Sequence, residues 1–183
     1  IFLRELSALY AAAKDGKEEV LSSLAIQYGD YASWEREQFQ AGKWSEQFSC
    51  WRQHLAGAPM ALELPSDFKR PTAPSFRGSR ENLMLDAELT EQLNQLARRE
   101  GVTLYLLLLA AFKVLLHRYT QHEDLVIGSP VAGRNQIETE GLIGFFVKTL
   151  VLRTDLSGRP GFRELLKRVK QVVLDAHANQ DVP

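Results

Sequence analysis

Apolar positions in IFLRELSALYAAAK recur at the three- and four-residue spacing of an amphipathic helix, which predicts a first helix over 1–13 and a charged turn at Asp15 and Gly16. The same reading predicts a second helix over about 22–40 and a third over 45–55. Trp34, Phe39, Trp44, Phe48 and Trp51 make this stretch unusually aromatic, and it holds all three tryptophans. Residues 57–78, GAPMALELPSDFKRPTAPSFRG, carry four prolines, which forbid a continuous helix or a central strand. Leu62, Leu64, Phe68 and Phe76 within them predict a segment lying along a protein surface, unlike a polar linker.

Beyond this boundary a short strand is expected at 81–85, followed by a helix with Leu89, Leu93 and Leu96 on one face, Asp86 as its cap and Gly101 as its stop. Thr103 then caps an apolar helix reaching residue 119, whose near-continuous hydrophobicity predicts burial on more than one side. DLVIGSPVAG reads as a strand entering a turn, and LIGFFVKTLVLRTDL as one long strand kinked near Gly144. Pro160 starts a closing helix with Phe162, Leu165, Leu166, Val169, Val172 and Val173 on its inner side. The order β-α-α-β-β-α predicts a layered α/β fold with a mixed sheet. Three parts are expected: 1–56, a proline-rich connection 57–78, and 79–183.

Composition narrows the function classes. Of 183 residues, 45% are hydrophobic and 25% charged, and the net charge of -1 gives no electrostatic reason to expect a nucleic acid or an anionic membrane as partner. No apolar run approaches the roughly 18 residues needed to cross a bilayer. Cys50 is the only cysteine, so an intrachain disulfide and a multi-cysteine zinc site are excluded, and a reducing, cytoplasmic setting fits. Ile1 opens the first helix without a capping residue and the chain stops at NQDVP, a pattern expected of a segment of a longer polypeptide.

His54, His117, His122 and His177 form no HExxH motif, so no metal is expected. No GxSxG, P-loop or GxGxxG sequence occurs. GSPVAGR follows a strand but lacks the lysine and hydroxyl that would hold phosphates. Its turn places Arg134 and Asn135 where they can either tie the loop through backbone carbonyls or contact a ligand in a cleft.

YGDYASW at 28–34, SPVAGRN at 129–135, IGFFVKTLVLR at 143–153 and NQDVP at 179–183 occur in this order, together with LARREGVTLYLLLLAAFKVLLHRYTQHEDLVIG. In combination they resemble conserved segments of the condensation domains of nonribosomal peptide synthetases, and the resemblance runs the length of the chain. It implies a chloramphenicol-acetyltransferase-like two-layer α/β sandwich, here a partial two-lobe domain: 1–56 as the helical end of the first lobe, 57–78 as the inter-lobe connection and 79–183 as part of the second lobe. The implied activity of the parent is joining an aminoacyl or peptidyl thioester to the amine of a second aminoacyl thioester. Both would be presented on phosphopantetheine arms of carrier proteins, the partners along with adjacent synthetase domains, and no cofactor would be bound directly. The family's HHxxxDG motif has no counterpart, because no HH pair occurs in the sequence, so no catalytic residue is assigned.

On a helix, Tyr28, Tyr31 and Trp34 fall at three-residue steps, which suits packing near the lobe junction, with Asp30 accepting hydrogen bonds from backbone or a basic neighbour. Gly144 permits close backbone approach, and Phe145 and Phe146 are expected on opposite sides. The family pattern GxFVNT has an asparagine where this chain has Lys148, which offers only donors and a charge; it would either touch substrate or snorkel from a sheet edge. Asn179, Gln180 and Asp181, in a segment similar to [HN]QDxPF, are expected to support the cleft, with Pro183 preventing further helix. Two other readings stand beside peptide-bond formation: an epimerization domain of the same superfamily, and a noncatalytic carrier-protein interaction module.

Overall fold

The structure, a computed structural model, describes every residue except Glu19, Val20, Arg70, Pro74 and Pro183. The expectations for Pro183, and for Arg70 and Pro74 of the proline-rich stretch, therefore lie outside the described residues. Among the described residues the order is α1 (Phe2–Lys14), α2 (Tyr28–Gln40), α3 (Ser45–Leu55), α4 (Ala87–Arg99), α5 (Leu104–Thr120), β1 (Asp124–Val131), a 3₁₀ turn (Ile137–Thr139), β2 (Lys148–Asp155) and α6 (Phe162–Ala178). β1 and β2 pair in a two-stranded sheet.

By contacts the chain divides into two units. The first holds Ile1–Gln53, Ser129–Leu150 and Asn179 onward; the second holds His54–Gly128 and Val151–Ala178. This grouping interleaves along the chain: the loop after β1 and the last residues fall with the N-terminal helices.

Local signals account for most of the helix ends. Asp86 Oδ1 accepts from Leu89 N at 2.7 Å and Thr103 Oγ1 from Leu106 N at 3.3 Å, each satisfying a backbone donor that the first helical turn leaves without a partner. α2 starts at Tyr28, later than the expected residue 22. Asp30 takes the Gln27 N–H at 2.8 Å and closes the helix start there.

In the second unit α5 packs against α4 and α6. Leu106, Leu107, Leu109, Ala110 and Leu116 bury its inner face, and α6 answers with Leu165, Leu166, Val169, Val173 and Ala176. Phe162, expected inside, is exposed, and Val172 is half-buried. α5 is not covered all round: Tyr105, Leu108, Phe112, Leu115 and Tyr119 form an exposed stripe, because α4 and α6 occupy only part of its circumference. Lys113 lies fully buried on the inner face, where Nζ donates to Leu152 O at 2.8 Å and Leu125 O at 3.4 Å, linking the helix to both strands. Arg153 forks onto Asp124 at 2.8–3.1 Å and donates to the His54 and Ala56 carbonyls at 2.8 Å.

Two expected strands are corrected. Residues 81–85 form none; Leu83 and Met84 are almost fully exposed, and an extended segment with no neighbouring strand has nothing to satisfy its backbone. The long strand through Gly144 is confined to Lys148–Asp155, because the preceding backbone is engaged otherwise: the Tyr28 hydroxyl donates to Phe145 O at 3.0 Å.

Candidate functional site

The aromatic residues of α2 and α3 build a wall within the first unit. Starting α2 at Tyr28 puts Tyr28, Tyr31 and Trp34 on successive turns of one face, with ring centroids 6.3 Å and 5.8 Å apart along the series. Trp44 meets Trp34 edge-on at 6.4 Å and is buried. Phe146 inserts against Tyr31 at 4.9 Å and Tyr28 at 5.2 Å.

Gly144 makes this packing possible. A Cβ there would overlap the Tyr28 ring, which Phe146 and the hydroxyl's bond to Phe145 O hold in place. Phe146 is 4% exposed and Phe145 is 77% exposed, so the two face opposite ways as alternation predicts, although this stretch is not a strand.

Arg134 lies with its guanidinium 4.1 Å from the centre of the Phe146 ring and donates Nη1 to Thr139 O. Both contacts tie the loop after β1 to its neighbours. Arg134→Ala is expected to lower stability by about 1–2 kcal/mol through loss of the cation–ring contact and the carbonyl's donor, measurable as a shift in the denaturation midpoint. Lys would recover the charge but not the flat stacking.

Polar groups converge on Asp181. Its Oδ1 accepts from Asn135 Nδ2 at 2.9 Å and its Oδ2 from Gln47 Nε2 at 3.3 Å. Its N–H donates to Gln47 Oε1 at 3.2 Å, and its carbonyl accepts from Lys148 Nζ at 2.7 Å. The neighbouring Asn179 carbonyl takes the Trp51 indole N–H at 2.7 Å, and Gln180 is half-buried. Thus Asn135, Lys148, Asn179 and Asp181 are brought together. Asp30 stays at the start of α2 as a cap, and Tyr28 and Gly144 shape the aromatic wall.

Lys148 does not snorkel outward. Its ammonium sits 3.2 Å from Glu35 Oε1 and 5.9 Å from the Trp44 ring centre, with the Lys148 and Glu35 side chains 19% and 25% exposed. Tyr31 donates its hydroxyl to the same Glu35 oxygen at 3.0 Å. Burial first, and then this hydrogen bond to a carboxylate, push the Tyr31 phenol up to about 12, so it remains a neutral donor. These groups surround a pocket of about 60 Å³ lined by Tyr31, Glu35, Trp44, Asn135, Lys148 and Asp181 among others. Glu35 and Gln47 were not singled out by sequence. The four-residue step from Tyr31 to Glu35 on a helix was the available signal for the first; nothing local marks the second.

The site offers hydrogen-bond donors, an ion pair and aromatic walls, which suit holding a backbone in place. Among the described residues no three His, Cys, Asp or Glu side chains could hold a metal ion. His117 Nδ1 donates to His122 O at 2.8 Å, securing the end of α5. His54, in the second unit, is pushed below its ordinary value by burial and then by the Arg153 guanidinium. No single helix among the described residues is long and apolar enough to cross a membrane.

Comparison with known proteins gives the wider frame. The family model of the condensation domain matches residues 1–183. Linear gramicidin synthase subunits D and B of Brevibacillus parabrevis are 48% and 49% identical over 183 residues, all of this chain and 4% of each relative. The chain thus spans a small fraction of these relatives. The X-domain from teicoplanin biosynthesis superposes with a TM-score of 0.93 at 36% identity, covering 100% of this chain and 42% of that one. A second structure, a complex of the X-domain and OxyB, gives 0.92 at 36% identity, covering 100% of this chain and 41% of that one. The fold is therefore the chloramphenicol-acetyltransferase-like α/β fold of such domains, present here in part. With a match along every residue, the chain belongs to the condensation-domain family of the nonribosomal peptide synthetases.

Proposed function

We propose that this chain is part of a domain that forms a peptide bond between two carrier-bound thioesters, and that it supplies a wall of the reaction cleft. The observation that carries the reading is the family match over residues 1–183, supported by 48% identity to a synthase subunit. Residues 1–56 close the first lobe, 57–78 connect, and 79–183 begin the second. Arg134, Asn135, Lys148, Asn179, Gln180 and Asp181 line or brace the cleft. The substrates arrive on phosphopantetheine arms of carrier proteins in the cytoplasm. Aminolysis of a thioester gains much from approximation, so a rigid wall that fixes two arms and excludes water contributes directly to rate.

The wall alone lacks a group to orient the attacking amine, since the chain has no HH pair. The test supplies loaded donor and acceptor carriers to the whole parent and, separately, to this chain, and follows the dipeptidyl thioester by intact mass. The parent is expected to give product and the isolated chain none above a carrier-only background. Product from the chain at a rate comparable with the parent would show that the amine is positioned by a residue present here. Exchange of the α-hydrogen with solvent and inversion at that carbon, without dipeptide, from the parent would fit epimerization.

A second reading has its own observation. The X-domain, with TM-scores of 0.92 and 0.93, was solved in a complex with OxyB. By that analogy the parent would be an interaction module, and it would bind a partner protein while giving no dipeptide in the same assay.

A further inference from the structure

Asp181 has all four of its polar atoms engaged, by Gln47 from α3, Asn135 from the loop after β1, and Lys148 from β2. Three of these contacts use neutral amides, which need no counter-charge. The fourth uses an ammonium, which at 19% side-chain exposure is poorly hydrated and costly without an anion beside it. Glu35 provides that anion at 3.2 Å, and Tyr31 fixes the carboxylate by donating to the same oxygen at 3.0 Å.

We propose that Lys148 and Glu35 are positioning residues that work as one unit: the carboxylate holds the ammonium, the ammonium holds the Asp181 carbonyl, and the segment 179–182 is thereby fixed as part of the cleft wall. The role in reaction rests on the condensation reading above; the coupling between the two side chains does not. An asparagine at position 148, as in the family pattern, is shorter and neutral, so it would neither reach as far nor require Glu35. Lysine here therefore makes a residue on α2 part of the machinery that places the chain's last described residues.

The experiment compares Lys148→Met, Glu35→Gln, the double variant and Lys148→Arg. Each single variant leaves a half-buried charge without its partner, whereas the double removes both. The double is expected to be more stable than the product of the two single losses by about tenfold in the folding constant. Hydrogen exchange at the Asp181 amide, held by Gln47, is expected to quicken about tenfold in Lys148→Met and to stay fast in the double, because no donor remains for the carbonyl. Lys148→Arg, which keeps charge and donors, should retain protection.

In the whole parent, Lys148→Met should lower the single-turnover rate of dipeptidyl thioester formation about 10- to 100-fold with carrier binding unchanged. Additive single losses, or unchanged exchange at Asp181 in Lys148→Met, overturn the unit. An unchanged rate in the parent overturns the positioning role. If the unmodified parent forms no dipeptide, it is the condensation reading that fails, and the stability and exchange measurements still decide the coupling.

Discussion

Gly133→Ala is expected to destabilise the first unit by roughly 3–5 kcal/mol, enough to leave a marginal chain largely unfolded at 25 °C. Two independent terms add. Gly133 has φ of +65°, where an L side chain crowds its own backbone at a cost of about 1–2 kcal/mol. A Cβ built there also overlaps the Phe146 carbonyl oxygen and comes within 3.0 Å of its carbon. That neighbour is backbone and cannot rotate away. Moving it would drag Phe146 from between Tyr28 and Tyr31 and unseat Arg134 from its ring. Gly16→Ala is the control: φ is +68° but nothing lies within 4 Å of the built Cβ, so only the conformational term of about 1–2 kcal/mol should appear. Equal losses in the two variants, measured as denaturant midpoints with the slope held, would mean that the Phe146 backbone yields freely.

Stability is expected to rise between pH 8 and 10 because of Lys113. Burial pushes its ammonium down to about 8 from an ordinary 10.5, against the smaller opposing pull of Asp124. In that interval the unfolded chain holds the proton and the native chain sheds it. The unfolded state thus binds more protons and the free energy of unfolding grows with pH, by at most about 1.4 kcal/mol per unit. Below pH 8 both states are protonated and the cost of the buried charge is present in full. Above pH 10 the trend is opposed by Tyr31, whose phenol is held near 12 when folded and ionises near 10 when unfolded. Lys113→Met should abolish the rise between pH 8 and 10. Lys113→Ala should also abolish the rise, and in addition cost about 2–5 kcal/mol below pH 8, a deficit that widens between pH 8 and 10, since it opens a cavity beneath two strand carbonyls. A slope that persists in Lys113→Met would assign the effect to other groups.

What could be read from sequence was what is local. The caps Asp86 and Thr103 each act over three residues, and both were legible because a capping side chain and its target lie within one turn. α3 fell where predicted, and the opposed faces of Phe145 and Phe146 followed from two-residue alternation even outside a strand. The strand expected through Gly144 failed for a distant reason: Tyr28 takes the Phe145 carbonyl across 117 positions. Within the site, the motifs named Lys148, Asn135 and Asp181, but Gln47 meets Asp181 across 134 positions and no spacing rule joins them. Lys113 stands inside a near-continuous apolar stretch with no local partner to mark it, yet it is among the most deeply buried side chains, because its length lets the amine reach carbonyls beyond the helix.

The placement of the indoles has a practical result. Trp34, Trp44 and Trp51 all belong to the first unit, and the second has none. Tryptophan emission, excited selectively, is therefore a private reporter of one half of the molecule, whereas helix ellipticity sums both. In a melt followed by the two signals together, superimposable curves would mean that the halves come apart in a single event, and separated curves would give each half its own midpoint without a label. The Gly133 substitution should move the emission curve first, and the Lys113 substitution the ellipticity.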